Sequence, residues 1–207
     1  TKPIENFQPS LPNTEKKLPT FSSKWQVKEL DPFREWCLPD LSDKEYQEIT
    51  SVLVNAIDQI PKAFMHRDFH CRNILLCNED KLGVIDFQGA MFGPVTYDLV
   101  SLLRDCYVDN DNEWIVKSVQ NFQQNLLSVG LSYAQVEPEQ FLRWFDFAGL
   151  QRQLKCVGIF HRLKIRDSKP KYMQDVPRIL GYIHQVLEKH TELESIKQLV
   201  KQATILE

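Results

Sequence analysis

The 207 residues are 43% hydrophobic and 26% charged with only seven glycines, the profile of a globular and mostly helical chain. The formal net charge of −3 gives no overall pull toward nucleic acid or an anionic membrane, so neither is expected as a partner. With no run of about 18 apolar residues, no apolar stretch at residues 1–21 and five scattered cysteines lacking a C-x-x-C pair, no transmembrane helix, signal peptide, disulfide framework or cysteine zinc site is expected, and the expectation is a cytoplasmic protein with reduced thiols.

Residues 1–20 hold four prolines and no apolar periodicity, which reads as an extended leader. A helical pattern starts near Ser23 and is expected to stop at Leu30. Asp31-Pro32 then reads as a cap with proline at the first position of a second, short helix, "PFREWCL". "SDKE" at 42–45 is a capping box, and it opens a helix whose apolar face includes Tyr46, Ile49, Leu53 and Ile57 and which ends before Pro61. "AFMH" is a short strand. "ILLC" and "LGVI", separated by "NEDK", form a β-hairpin. After a loop containing Gly89, Gly93 and Pro94, Thr96 is expected to cap a helix, "YDLVSLLRDCY". Further helices are expected over about 112–128, from Pro138 to about Arg166, over 176–190, and after Thr191. The fold class is mainly α with a small β-hairpin (α+β).

The chemistry is concentrated in "HRDFHCRN", residues 66–73, and in "IDFQG" beyond the hairpin. If the strands pair about "NEDK", Asn73 and Asp86 fall opposite each other, with Cβ atoms about 4.5–5.5 Å apart. An amide oxygen and a carboxylate are hard ligands of the kind Mg²⁺ takes alongside phosphate oxygens. Asp68, five residues before Asn73 in a polar loop, could accept the proton of an attacking hydroxyl. A base, then an Asn and an Asp on Mg²⁺, is the order and role assignment of the protein-kinase catalytic template, including its Asp-to-Asn spacing.

The histidine at position 70 separates the chain from protein kinases. H-x-D-x-H-x-x-N followed by "IDF" resembles the aminoglycoside phosphotransferase and choline kinase superfamily. "GVIDFQGAMFGPVTYDLVSLLRDCY", "QRQLKCVGIFHRLKIRD" and "YMQDVPRILGYI" further resemble the bacterial N-acetylmuramate/N-acetylglucosamine anomeric kinases, from about Leu18 to about Tyr182. The resemblance implies the C-terminal lobe of a protein-kinase-like fold, ATP and Mg²⁺ as cofactors, and an amino sugar phosphorylated at its C1 hydroxyl during cell-wall recycling. It implies Asp68 as catalytic base and Asn73 and Asp86 as metal ligands. His66, Arg67 and His70 would support the loop, and Asp98 would brace it. Cys71, Gln88-Gly89-Ala90 and Pro32 are departures from the family pattern, the last in a stretch expected to be helical.

Other readings stand beside these. H-x-D-x-H could belong to a metallohydrolase, although only His161, His184 and His190 remain as further histidine ligands. Asp98 suits the first turn of any helix. Gln88, Arg152 and Lys155 are candidate contacts to substrate or phosphate, but the basic stretch from Gln151 to Lys171 is equally a solvated face. Within the phosphotransferases an aminoglycoside- or choline-type acceptor is the alternative, and a silent kinase-like binding module is another. No glycine precedes Gly83 and Lys28 sits in a helical pattern, so neither a phosphate-cradling loop nor a strand lysine is seen. The expected organisation is a leader over 1–20 and a C-terminal lobe over 21–207, without the nucleotide lobe and inactive by itself. The oligomeric state is left open.

Overall fold

The computed structural model describes residues 17–77 and 81–203. Most of the expected leader and the hairpin tip at 78–80 lie outside the described residues. In chain order the elements are α1 (Ser23–Cys37), α2 (Asp43–Asp58), β1 (Lys62–Met65), β2 (Ile74–Leu76), β3 (Leu82–Val84), β4 (Met91–Pro94), α3 (Tyr97–Leu103), α4 (Asn112–Ser128), α5 (Pro138–Ile165), α6 (Val176–Lys189) and α7 (Glu194–Gln202). They form two units. One comprises the chain up to Phe21 with Ile60–Ala148, the other Ser22–Gln59 with Gly149–Glu207. No helix among the described residues is long and apolar enough to cross a membrane.

In the second unit, α2 begins as the sequence indicates. Ser42 accepts from the Glu45 amide while the Glu45 carboxylate reaches back to Ser42, and Tyr46, Thr50, Leu53, Val54 and Ile57 are buried. The break expected at Asp31-Pro32 does not occur: α1 runs through Pro32 to Cys37. Gln26, Glu29, Leu30, Phe33 and Cys37 recur every three or four residues and are all buried, so one stripe continues across the proline. An interior proline costs about 3 kcal/mol. Burying Leu30 and Phe33 returns about 1.5–3 kcal/mol each, so packing outweighs the lost hydrogen bond. The α1 backbone also meets α5 at Gly158, where a Cβ would lie 2.2 Å from the Phe33 nitrogen and 2.3 Å from the Pro32 carbonyl carbon. The apolar stripes of α6 (Ile179, Ile183, Val186) and α7 (Ile196, Leu199, Val200) complete this core.

In the first unit, β1 pairs antiparallel with β4, in the register Ala63↔Gly93 and Met65↔Met91. The stretch around Gly93 and Pro94 is therefore a strand rather than the expected loop. Its composition hides this, because glycine and proline are poor strand formers. A Cβ on Gly93 would sit 2.5 Å from Met65 Sδ, the end of a flexible side chain, and 3.1 Å from Phe21 Cβ. The outer edge of β4 is covered by the incoming chain, with Phe92 N–H donating to Pro19 O and Phe21 N–H to Phe92 O, both at 2.8 Å. Phe21 is fully buried and packs edge-on against Tyr97 at 5.4 Å.

Thr96 precedes α3, but its hydroxyl donates to Trp144 O (3.2 Å) rather than capping the helix. The helix ends at Leu103, short of the expected Tyr107. Immediately beyond it, Arg104 forms a buried ion pair with Asp146 of α5, at 2.9 Å. The β2/β3 hairpin lies over no core, and Leu76 and Leu82 are 77% and 69% exposed.

Candidate active site

The loop that follows β1 is fixed at its start by Asp98, in the first turn of α3. One carboxylate oxygen accepts the His66 amide at 2.6 Å and the other the Arg67 amide at 3.0 Å. Charge-assisted bonds of this kind are the stronger class. They hold Arg67 at φ 76°, a left-handed conformation uncommon for a residue with a side chain. Its guanidinium donates to Gly89 O at 3.2 Å. His66 is buried and its Nε2 lies 3.0 Å from the Ile85 carbonyl. A carbonyl only accepts, so Nε2 carries the proton, and the histidine ties the loop to the residue before Asp86.

Asp68 follows, half-buried. Its main-chain oxygen accepts from His70 N–H (3.1 Å) and from Asn73 Nδ2 (2.9 Å). Its carboxylate accepts no hydrogen bond among the described residues, so both oxygens remain available to an incoming group. Cys71–Asn73 then form a single 3₁₀ turn. Asp105, 1% exposed, accepts the Cys71 amide and the Tyr107 amide at 2.8 Å each. The ring of Tyr107 carries the Arg72 guanidinium 3.4 Å above its centre and meets His70 edge-on at 5.6 Å.

The hairpin register corrects one expectation. Ile74 pairs with Val84 and Leu76 with Leu82, and Ile85 N–H donates to Asn73 O at 3.1 Å, so Ile85 rather than Asp86 stands opposite Asn73. The slip arises at the tip. Cys77 N–H bonds to Lys81 O (2.7 Å), leaving three connecting residues where four were expected. Asp86 comes one residue later, in the left-handed region at φ 67°, ψ 34°, where the chain turns out of the strand. Among the described residues, two of the three side-chain-bearing residues with positive φ, Arg67 and Asp86, thus lie in this site, where strained backbone tends to gather.

The residues fit a hard divalent cation. Asn73 uses its amide nitrogen on Asp68 O, which fixes its orientation and leaves Oδ1 unengaged. Asp86 is exposed. Its Oδ1 accepts from Gln88 Nε2, and Oδ2 is free of partners among the described residues. One amide oxygen and one carboxylate suit Mg²⁺, which keeps several waters and takes phosphate oxygens for the rest. Zinc is not favoured: among the described residues no three His, Cys, Asp or Glu side chains are grouped to hold a metal, and His66 Nε2 is committed to Ile85.

Arg152 and Lys155 lie in the second unit, both largely buried. Lys155 Nζ is 2.7 Å from a Glu29 carboxylate oxygen. Asp105 was not singled out in the sequence, because "LLRDCY" continues the helical pattern of α3 and no spacing points from position 105 back to 71.

Cys71 yields a prediction of its own. Burial, reinforced by the hydrogen bond and charge of Asp105, pushes its thiol up to about 11. Since the thiolate is the nucleophile, alkylation at pH 8 should run about 10²-fold slower than for an ordinary thiol, and accelerate only as pH approaches 11. Peptide mapping after iodoacetamide treatment should show exposed Cys77 modified well before Cys71. Equal labelling would contradict the burial of the Cys71 thiol and its contact with Asp105.

The loop, its helix-borne carboxylate brace and the hairpin that follows all fall within residues 9–131, which match the phosphotransferase enzyme family; the chain belongs to that family. Among curated proteins it is similar to the N-acetylmuramate/N-acetylglucosamine kinase of Neisseria meningitidis serogroup B, 36% identical over 191 residues that cover 88% of this chain and 57% of that protein. The proteins of the same name from Pseudomonas putida and Pseudomonas aeruginosa are 32% and 33% identical, each match covering 88% of this chain and 56% of the relative. The chain therefore spans little more than half the length of these relatives.

Proposed function

We propose that this chain supplies the acceptor- and metal-binding side of an ATP-dependent kinase that phosphorylates the C1 hydroxyl of N-acetylmuramate or N-acetylglucosamine. The observation that carries the reading is the unengaged Asp68 carboxylate on a loop held by the side chains of Asp98, His66, Arg67, Asn73 and Asp105, none of which bonds to that carboxylate. Asp68 accepts the proton of the sugar hydroxyl as its oxygen attacks the γ-phosphorus. The bond to the ADP oxygen breaks, and the proton passes from Asp68 to solvent. Asn73 Oδ1 and Asp86 Oδ2 would hold Mg²⁺, which neutralises phosphate charge when bound. Asn73 is kept in orientation by its bond to Asp68 O, so base and metal ligand share one rigid turn. His66 fixes the exit of β3, and Asp98 the approach to Asp68. A cytoplasmic setting, where ATP is available, belongs to the same reading.

The choice of acceptor rests on the names of the relatives and is tested directly. The chain is assayed alone and as a chimera replacing the matched segment of the Neisseria protein, with ATP, Mg²⁺ and each of N-acetylmuramate, N-acetylglucosamine, an aminoglycoside and choline. We expect the chimera to give a C1 phosphate, seen by ³¹P NMR, on the amino sugars alone. Phosphorylation of the aminoglycoside or choline, or no transfer by the chimera, would overturn the assignment.

A further inference from the structure

We infer that Asp105 is a positioning residue for the metal site, acting on Asn73 through the Cys71–Asn73 turn. The inference rests on the kinase reading above and adds to it a residue that neither the loop motif nor the hairpin contains.

The catalytic loop has two ends, and each is held by a carboxylate from the same stretch of chain. Asp98, in the first turn of α3, takes the amides of His66 and Arg67. Asp105, seven residues on and just past the end of α3, takes the amide of Cys71. Asp68 lies between these anchors. The Asp98 end fixes the approach to the base, and the Asp105 end fixes the turn that closes on Asn73.

The second anchor is itself anchored. The carboxylate of Asp105 also accepts the Tyr107 amide, which folds the post-helix chain back on it. The neighbouring Arg104 is pinned by its buried ion pair to Asp146. At 1% exposure Asp105 has no competing water, so the Cys71 bond is a charge-assisted bond in a dry setting. Three elements follow from that amide. Cys71 opens the 3₁₀ turn, Asn73 N–H closes it on His70 O at 2.9 Å, and the Asn73 side chain bonds back to Asp68 O. Release of the Cys71 amide would free the turn, and with it the direction of Asn73 Oδ1. The base would be affected less, because its approach is held from the Asp98 side.

This separates Asp105 from a residue that merely stabilises the fold. Its loss should appear as a higher metal requirement, with the acceptor KM unchanged. Partners bonded directly to a metal ligand typically contribute 10- to 100-fold in metal affinity, and Asp105, acting on Asn73 through Cys71, is expected at the lower end of that range. Asp105→Asn keeps the volume of the side chain but can offer only one acceptor oxygen to two amide donors. Asp105→Ser, smaller and still able to accept one amide, serves if the first variant does not fold.

The test is a Mn²⁺ titration of the ¹⁵N-labelled chain, reading paramagnetic broadening of the Asn73 and Asp86 amides, with no turnover required. Asp105→Asn, or Asp105→Ser, should raise the Mn²⁺ needed for half-broadening by about 10-fold. In the active chimera the Mg²⁺ concentration for half-maximal rate should rise in step, with most of kcat recovered at high Mg²⁺ and the sugar KM unaltered. If the wild-type chain binds Mn²⁺ at Asn73 and Asp86 and folded Asp105 variants bind it equally well, the positioning role is wrong and the kinase reading stands. If the wild-type chain shows no broadening there, the metal assignment falls and the role of Asp105 falls with it.

Discussion

Asp68→Asn, placed in the active chimera, should lower kcat on the order of 10²- to 10⁴-fold while nucleotide affinity stays unchanged. The expectation follows from how the loop is built. All supports that pass through Asp68 use its main-chain carbonyl, which accepts from His70 N–H and Asn73 Nδ2. The side chain accepts no bond among the described residues, so an isosteric amide leaves the turn, the Asn73 orientation and Asp86 in place. What disappears is a negatively charged acceptor for the hydroxyl proton. The loss should therefore fall on kcat at every Mg²⁺ concentration, unlike the Mg²⁺-rescued loss expected at Asp105. Near-normal turnover by the variant would remove Asp68 from the role of base.

The largest expected effect on stability lies in the second unit, at Gly158. A methyl group there would meet main-chain atoms of Pro32 and Phe33 at 2.2–2.5 Å, and backbone cannot move aside as a flexible side chain can. Overpacking of this kind costs about 1–3 kcal/mol and occasionally more. For Gly158→Ala we expect the upper end, about 3 kcal/mol. That corresponds to a melting temperature lower by roughly 6–12 °C for a chain of this size. Thermal unfolding followed by circular dichroism is sufficient to check it. A variant that melts with the wild type would mean that α1 does not approach α5 this closely at Pro32.

Where local rules and long-range packing agreed, the sequence was readable. The capping box at Ser42 placed the start of α2, and its apolar period identified the helix that ends at Asp58, before Pro61. The hairpin was visible from two apolar runs around a polar turn, and the loop motif led to residues that the structure brings into one bonded cluster. Three features were hidden for physical reasons. The helix across Pro32 is decided by a buried stripe that outweighs a local breaker. The strand at Met91–Pro94 is paired with β1 on one edge and with the incoming chain on the other, long-range contacts that strand propensity does not encode. The register of the hairpin turned on one residue, Lys81, which pairs with Cys77 instead of joining the turn, and that shift moved Asp86 off the position facing Asn73. Asp105 was concealed by the same weakness, since the end of α3 is set by the Arg104–Asp146 pair and not by a local stop signal.

The central claim is that Asn73 and Asp86 together hold the metal beside Asp68. Mn²⁺ titrated into the ¹⁵N-labelled wild-type chain measures this directly. The amides of Asn73, Asp86 and Phe87 should broaden first, and Asn73→Ala and Asp86→Asn should each raise the metal required by about tenfold or more. Broadening centred on other residues, or unchanged by both substitutions, would contradict the account.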